Sequence, residues 1–282
     1  MRTDRGKQEV VMDALKDRVS VVIGAGAAGD SIGNGRAMAL AFARRGAIVV
    51  AVDRDIDRVE RTREMVEAEG GRCLAVAADA SVSDDVRAAI GRTLERFGRL
   101  DVLVNNVGIV PLGGPVELDE ADWDRAFAVN VKSAFLACKH ALPAMLAQRR
   151  GAIVHVSSLA SLRSPATPYC AYSASKAAMN GLSQSIASQY AGQGIRSNVL
   201  VLGMIDTPHV REQLGATSPD GVDALMKRRH AQSPTGAMGT VWEAADAAAF
   251  LASDAASYVN GTELLVDGGL HRRVGEFARA AD

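Results

Sequence analysis

Residues 18–53 read RVSVVIGAGAAGDSIGNGRAMALAFARRGAIVVAVD, and this stretch decides the fold. Arg18–Ile23 is a short apolar run rich in β-branched residues, the composition of a strand buried on both faces. Five glycines then lie between Gly24 and Gly35. A run of helix formers follows to Arg45, and Gly46 stops it. Ala47–Val52 (AIVVAV) is a second wholly apolar strand, ending on Asp53. Strand, glycine-rich turn, helix and strand make a parallel βαβ unit.

The same alternation continues to the end of the chain. Further strands are predicted at Arg72–Ala77, Leu100–Val104, Gly151–Ser157, Ile195–Leu202 and Glu263–Asp267. Helices are predicted at about 55–69, 83–97, 119–148, 169–191 and 241–253, the second with Ser83 as its N-cap. The right-handed crossover rule turns this order into an α/β doubly wound parallel sheet of about seven strands, Rossmann-type, with helices on both faces. One catalytic domain is expected over residues 18–270, between an N-terminal arm (1–17) and a C-terminal tail (271–282). Residues 203–240 hold Gly, Pro and mixed charge without long apolar periodicity, and are expected to form a substrate lid.

Composition narrows the function. The 282 residues are 48 % hydrophobic and 23 % charged, as in an ordinary globular protein. The net charge of −1 offers no basic excess for nucleic acid. No apolar run reaches the ~18 residues of a membrane span. Residues 1–17 lack the apolar core of a signal peptide. Cys73, Cys138 and Cys170 form no C-x-x-C pair, which fits a reducing cytoplasmic compartment without structural zinc or disulfides.

Ligands of an open α/β sheet gather at the carboxyl ends of its strands, where the sequence motifs fall. Glycines in the first turn let the backbone approach a pyrophosphate, and the helix behind them offers N–H donors and a positive dipole end. Asp53 lies 18 residues after Gly35, where a carboxylate can accept both hydroxyls of a ribose and repels a 2′-phosphate. That choice points to NAD rather than NADP, and the adjacent Arg54 is expected to point to the other side of the strand. Tyr172 and Lys176 are four apart, which on a helix puts a phenol and an ammonium on one face. A free phenol, with a pKa of roughly 10, is a poor acid/base at neutral pH, and a nearby cation lowers it. The pair alone arises readily by chance; its surroundings give it weight.

Those surroundings resemble the short-chain dehydrogenase/reductase family over about residues 15–270. The motifs are the Gly24…Gly35 loop, Asp79 after the third strand, Asn105-Asn106-Val107-Gly108, and Asn130 in VNVKSAF. Ser157-Ser158, Tyr172-x-x-x-Lys176, Ile205-Asp206-Thr207-Pro208 and Val266-Asp267-Gly268-Gly269 come after them in order. The resemblance implies a nicotinamide-dependent enzyme interconverting a small secondary alcohol and a ketone, often a homotetramer or homodimer. It implies Tyr172 as general acid/base, Lys176 lowering its pKa and touching the nicotinamide ribose, Ser158 polarising the substrate oxygen, and Asn130 holding a water beside Lys176. For the cofactor it implies Gly24, Ser31, Ile32, Gly33 and Gly35 along the pyrophosphate, and Asp53 on the ribose. Asp79 and Ala80 would lie by the adenine, Asn106 and Gly108 along the dinucleotide, and Ile205 and Thr207 by the carboxamide.

The chain departs from the family pattern in places. Ile23 stands where the glycine loop usually begins with threonine, and Gly24 to Gly33 is about five residues longer. Ser158 lies 14 before Tyr172, where 13 is common, which leaves Ser157 as an alternative. The stretched loop with Ser31-Ile32 is also similar to that of enoyl-thioester reductases, whose Tyr-x6-Lys pair Tyr169…Lys176 satisfies. Asn105-Asn106-Val107-Gly108 and Ser158 favour the alcohol/ketone pattern, with Tyr169 as a pocket wall. A non-catalytic nucleotide-binding protein on the same fold is a third reading, against which the intact Ser158, Tyr172, Lys176 and Asn130 count. His155 is expected to be a satisfied core or interface histidine, and Arg228-Arg229 a solvated face, with contact to an acidic substrate group as the alternative.

Overall fold

The computed structural model describes residues 14–163, 168–215 and 221–273, with only the backbone of 213–215. Seven strands are present: β1 (Val19–Ile23), β2 (Ile48–Asp53), β3 (Arg72–Ala77), β4 (Val102–Asn105), β5 (Gly151–Ser158), β6 (Ile195–Leu202) and β7 (Glu263–Val266). They pair in parallel in the order β3-β2-β1-β4-β5-β6-β7, as the sequence predicts of a doubly wound sheet. The order reverses between β1 and β4, whose registers run Ser20 to Val102 and Ile23 to Asn105. That reversal opens the crevice in which such sheets bind ligands.

Nine described helices cover the sheet: α1 (Asn34–Ala43), α2 (Ile56–Ala68), α3 (Ser83–Phe97), α4 (Glu120–Phe127), α5 (Ser133–Gln148), α6 (Cys170–Tyr190), α7 (Pro208–Gly215), α8 (Gly221–Gln232) and α9 (Val241–Ala252). Successive strand residues feed opposite faces. Val22, Val49 and Ala51 pack with Met38 and Phe42 of α1 and with Ala244, Ala248 and Leu251 of α9. Val19, Val21, Val50 and Val52 pack with Ile90 of α3, Leu136 and Met145 of α5 and Ile186 of α6. Each large side chain so buried contributes about 1.5–3 kcal/mol. The alanines of α9 let it lie closely along α1.

Three local expectations give way to tertiary structure. The helix predicted at 119–148 is divided by a π-helical turn, Ala128–Lys132, which carries the buried Asn130. Such a turn inserts one extra residue and re-aims the helix beyond it, and it is common at functional sites. Ser83 does not cap α3; Val82 holds the cap position, and the Ser83 hydroxyl meets His140 at 3.1 Å. Leu15, at the end of the expected arm, is fully buried and its N–H bonds Arg45 O at 3.0 Å, so the chain joins the core there; residues 1–13 lie outside the described part.

Residues 203–240 contain α7 and α8 rather than loop alone. Among the described side chains of α8 only Met226 is buried, so its sequence carries no apolar stripe to read. The stretch leaves and returns at one neck. Ile205 bridges Gly239, Gly239 N–H donates to Met204 O at 2.9 Å, and Asp206 N–H to Gly239 O at 2.9 Å.

Candidate active site

The glycine loop opens α1 at the sheet's carboxyl edge. Gly33 is the N-cap and supplies no side-chain cap, no acidic residue occupies the first turn, and Asn34 Oδ1 is buried without a partner. The uncapped backbone N–H donors of the first turn and the positive dipole end suit an anion; the Asn34 Oδ1 is an acceptor and adds nothing to that. A Cβ at Gly35 would lie 1.9 Å from Gly24 O, so only glycine lets helix and strand approach this closely. Asn106 Nδ2 ties the loop to the end of β4 by donating to the same Gly24 O at 2.9 Å. Gly33 faces open space. The cradle therefore fits a dinucleotide's pyrophosphate.

Sequence reasoning missed what holds the elongated loop. The fully buried Arg36 donates to Ala27 O (2.8 Å), Gly29 O (2.6 Å), Ser31 O (2.6 Å) and Arg58 O (3.0 Å), and its Nε to Thr62 Oγ1 (2.9 Å). Burial holds its pKa below the usual arginine value, with Arg61 adding to the effect. The signal was present: a cation in a helix's first turn opposes the dipole, so it must serve something else. Ser31 Oγ donates to Ala28 O at 2.5 Å within the loop, and Ile32 packs against the core.

Asp53 lies against the mouth of this loop. Its Oδ2 accepts Gly26 N–H at 3.2 Å and its Oδ1 accepts Asp55 N–H at 3.3 Å. Arg54 instead acts electrostatically on Asp79, which is held below the usual carboxylate range first by the Ser81 hydroxyl. Asp79 Oδ1 accepts that hydroxyl at 2.7 Å and the Ser81 N–H at 2.8 Å, beside the buried Ala80. Ile205 and Thr207 are buried at the exit of β6, where Thr207 Oγ1 accepts Val210 N–H at 3.2 Å to start α7.

The second cluster joins the end of β5 to α6. The Ser158 side chain neighbours the Tyr172 phenol and acts on it in favour of the phenolate, and its hydroxyl accepts Ala160 N–H at 3.2 Å. Ser157 is turned away, buried, with its hydroxyl 3.4 Å from Lys176 O. Lys176 Nζ donates to Val156 O at 2.8 Å and lies 5.8 Å from the Tyr172 ring centroid. A Cβ at Gly108 would come within 3.2 Å of that ammonium. Asn130 is fixed by Ile109, accepting its N–H at 2.8 Å and donating to its carbonyl at 3.0 Å, and it donates to Ser175 Oγ at 2.9 Å.

The charges differ from expectation here. Burial pushes the Lys176 ammonium down to about 8. Burial also pushes the Tyr172 phenol up to about 12, against Ser158, which favours the phenolate. Lys176 does not lower Tyr172 in this structure, because its ammonium donates to Val156 O rather than to the phenol, and desolvation wins. Tyr169 stands edge-on to Tyr172, ring centroids 5.6 Å apart at 82°.

Two further residues depart from their expected settings. His155 is fully buried, with Nδ1 3.3 Å from Asn105 Nδ2, but its Nε2 has no partner, and burial pushes it down to about 3. It is a neutral, half-satisfied core histidine. Arg229 is not part of a solvated face: it is partly buried and acts on the Tyr169 phenol. Among the described residues no cluster could hold a metal ion.

Comparison with known proteins places this geometry. A family model described as Enoyl-(Acyl carrier protein) reductase matches residues 26–271. A 2-(R)-hydroxypropyl-CoM dehydrogenase of Xanthobacter autotrophicus is 42 % identical over 260 residues, 89 % of this chain and 97 % of the relative. Dehydrogenase/reductase SDR family member 6 of Aquarana catesbeiana is 39 % identical over 249 residues, 88 % of this chain and 96 % of the relative. The crystal structure of levodione reductase matches with a TM-score of 0.87 at 32 % identity, covering 92 % of this chain and 100 % of that one. The chain belongs to the short-chain dehydrogenase/reductase family. It is an oxidoreductase acting on CH–OH groups, in a family that uses nicotinamide cofactors.

Proposed function

We propose that the protein interconverts a small secondary alcohol and its ketone with NAD. The observation that carries this is the grouping of Ser158 beside the Tyr172 phenol with the Lys176 ammonium 5.8 Å from the Tyr172 ring, at the same sheet edge as the glycine cradle and Asp53. The bound nicotinamide supplies the carbon that accepts or gives the hydride. Tyr172 exchanges the proton with the substrate oxygen, since oxidation to a ketone releases a proton from that oxygen. Ser158 orients the oxygen, Lys176 would hold the cofactor ribose, and Asn130 would hold a water beside Lys176. Gly24, Gly33 and Gly35 hold the pyrophosphate with Asn106 and Gly108 beside it, and Asp53 reads the ribose. A panel of secondary alcohols and ketones with NAD(H) tests the reading; no turnover across the panel would overturn it.

The enoyl-thioester reading, with Tyr169 as proton donor, is supported less. Tyr169 lies outside α6 as its N-cap, edge-on to Tyr172, whereas Tyr172 neighbours Ser158.

We assign residues 203–240 as the substrate lid. The neck at Ile205 and Gly239 supports this, because it gives the stretch a hinge where it leaves and rejoins the core, and the further tie from Arg273 to the Ala231 carbonyl (3.1 Å) is a surface hydrogen bond that can release. Amides of α7 and α8 are expected to exchange with deuterium at least ~100-fold faster than those of β4 and β5, following their lower local stability. Equal protection would refute the lid.

A homotetramer or homodimer is also proposed. The open groove lined by Phe127, Val131, Phe135 and Leu182 lies on α4, the π-helical turn, α5 and α6, with Phe135 49 % exposed. On α6, Ala177 and Ala178 face outward while Met179 is buried. Helices apolar on a second face need a second partner. Light scattering at micromolar protein should give at least twice the 29.6 kDa chain mass; a monomer mass excludes it. The three free cysteines support a cytoplasmic setting, and no described helix is long and apolar enough to cross a membrane.

A further inference from the structure

Arg36, in the first turn of α1, is fully buried, and none of the ion pairs found among the described residues includes it. Its donors go to oxygens of the neutral chain instead. Three are carbonyls of the glycine loop: Ala27 O at 2.8 Å, Gly29 O at 2.6 Å and Ser31 O at 2.6 Å. Arg58 O and Thr62 Oγ1 tether the same guanidinium from α2, at 3.0 and 2.9 Å. The guanidinium's donors are fixed in one plane, so the three loop carbonyls have to converge on it.

That convergence decides where the other half of each peptide points. No described peptide bond is cis, so a carbonyl turned toward Arg36 sends the next residue's N–H the opposite way. The N–H groups of Ala28, Asp30 and Ile32 are thereby turned away from the cation. None of these three meets a protein acceptor among the described residues. The Ser31 N–H, in a peptide that Arg36 does not hold, bonds Ala28 O at 3.0 Å. The loop is open on its outer side: Gly29 and Asp30 are exposed, and a Cβ at Gly29 or Gly33 would meet nothing within 4 Å. The Asp30 carboxylate, which would repel an anion there, is drawn off by Arg61 at 2.6 Å. Alternate N–H groups directed to one side, ahead of an uncapped helix start, make an anion cradle.

We propose that Arg36 is the positioning residue of the pyrophosphate site: by gathering the loop carbonyls it aims the Ala28, Asp30 and Ile32 N–H groups at the phosphate oxygens. It touches no phosphate itself. The proposal rests on the dinucleotide reading of the loop and deepens it. It also accounts for the loop's length. A longer loop has more conformations to lose when a ligand binds, and a guanidinium that fixes it beforehand removes that loss.

The test measures Kd for two probes with wild type, Arg36→Met and Arg36→Lys, by ligand-observed NMR. ADP-ribose carries the pyrophosphate; adenosine shares its adenine and ribose and lacks it. Arg36→Met should lower the affinity for ADP-ribose relative to adenosine about 10- to 100-fold, while adenosine itself changes less than ~3-fold. Arg36→Lys keeps the charge but not the planar fork, and should recover only part of that ratio. With NAD, KM should rise by a similar factor while kcat stays within ~3-fold. Near-UV circular dichroism checks that each variant is folded. A crystal structure of wild type with ADP-ribose needs no variant, and should place phosphate oxygens within hydrogen-bond distance of at least two of the three N–H groups. An unchanged ratio in a folded variant, or both probes weakened alike, makes Arg36 a general support and overturns the proposal. Full recovery in Arg36→Lys assigns the effect to charge alone and overturns it too, as do phosphates bound away from those N–H groups. All four results leave the dinucleotide site standing. Failure of wild type to bind ADP-ribose overturns the dinucleotide reading itself, and the proposal with it.

Discussion

Tyr172→Phe is expected to lower kcat by about 10²–10⁴-fold, the usual contribution of a positioned general acid/base. Cofactor affinity should change little, because the substitution removes one hydroxyl and leaves the glycine cradle, Asp53 and Lys176 in place. Ser158 keeps its bond from Ala160 N–H, so the variant does not strand it. Retention of more than a few per cent of activity would move the proton donor to Tyr169. The pH dependence comes from the same group. With the phenol pushed up to about 12, it is protonated throughout the neutral range. Reduction, which needs the acid form, should vary little with pH on account of this group. Oxidation needs the phenolate, whose fraction grows tenfold per pH unit below the pKa. Its kcat/KM should therefore climb without a plateau to at least ~pH 10. A plateau near neutrality would show that the loaded site stabilises the phenolate far more than burial opposes it.

The second large effect concerns cofactor choice. Asp53 presents a carboxylate anchored by the N–H groups of Gly26 and Asp55 at the mouth of the glycine loop. It can accept from two ribose hydroxyls and faces a 2′-phosphate with like charge. The preference for NAD over NADP should be about 30- to 150-fold in kcat/KM, on the order of 2–3 kcal/mol, the scale of a charge-assisted hydrogen bond. Asp53→Ala should close most of that gap, chiefly by raising KM for NAD. Arg54, the residue that could reverse the preference, acts on Asp79. Arg36 is a cation of the loop itself, but its donors are committed to loop carbonyls and Thr62. Equal use of the two cofactors by wild type would show that a basic side chain outweighs Asp53.

Much of the fold was legible because its signals are local. Runs such as AIVVAV (47–52) are apolar at every position, as a strand covered on both faces must be. Gly46 ends one element and Gly24 to Gly35 begins another, and the parallel order comes from chirality rules that need no coordinates. The motif spacing likewise placed Ser158 at a strand end and Tyr172 and Lys176 on one helix face, whereas Asn130 fell inside the long helix expected at 119–148. Where the reading failed, the cause was non-local. The π-helical turn at Ala128–Lys132 has no distinctive composition; it persists because Asn130 finds Ile109 and Ser175 across the crevice. Ser83 matches an N-cap in isolation, but His140, 57 residues away, takes its hydroxyl.

The sequence by itself determined the parallel α/β sheet, the nucleotide-binding turn and the phenol–ammonium pair. Hydrophobic period, glycine placement and helical spacing are properties of neighbouring residues. The tertiary structure alone decided three things: that Arg36 closes the long loop, that Tyr172 sits at about 12 rather than lower, and that the Nε of Arg229 is buried without a hydrogen-bond partner. Each depends on which groups are desolvated together and which hydrogen-bond partners arrive from elsewhere in the chain. Those are sums over the packed molecule, to which no short stretch of sequence corresponds.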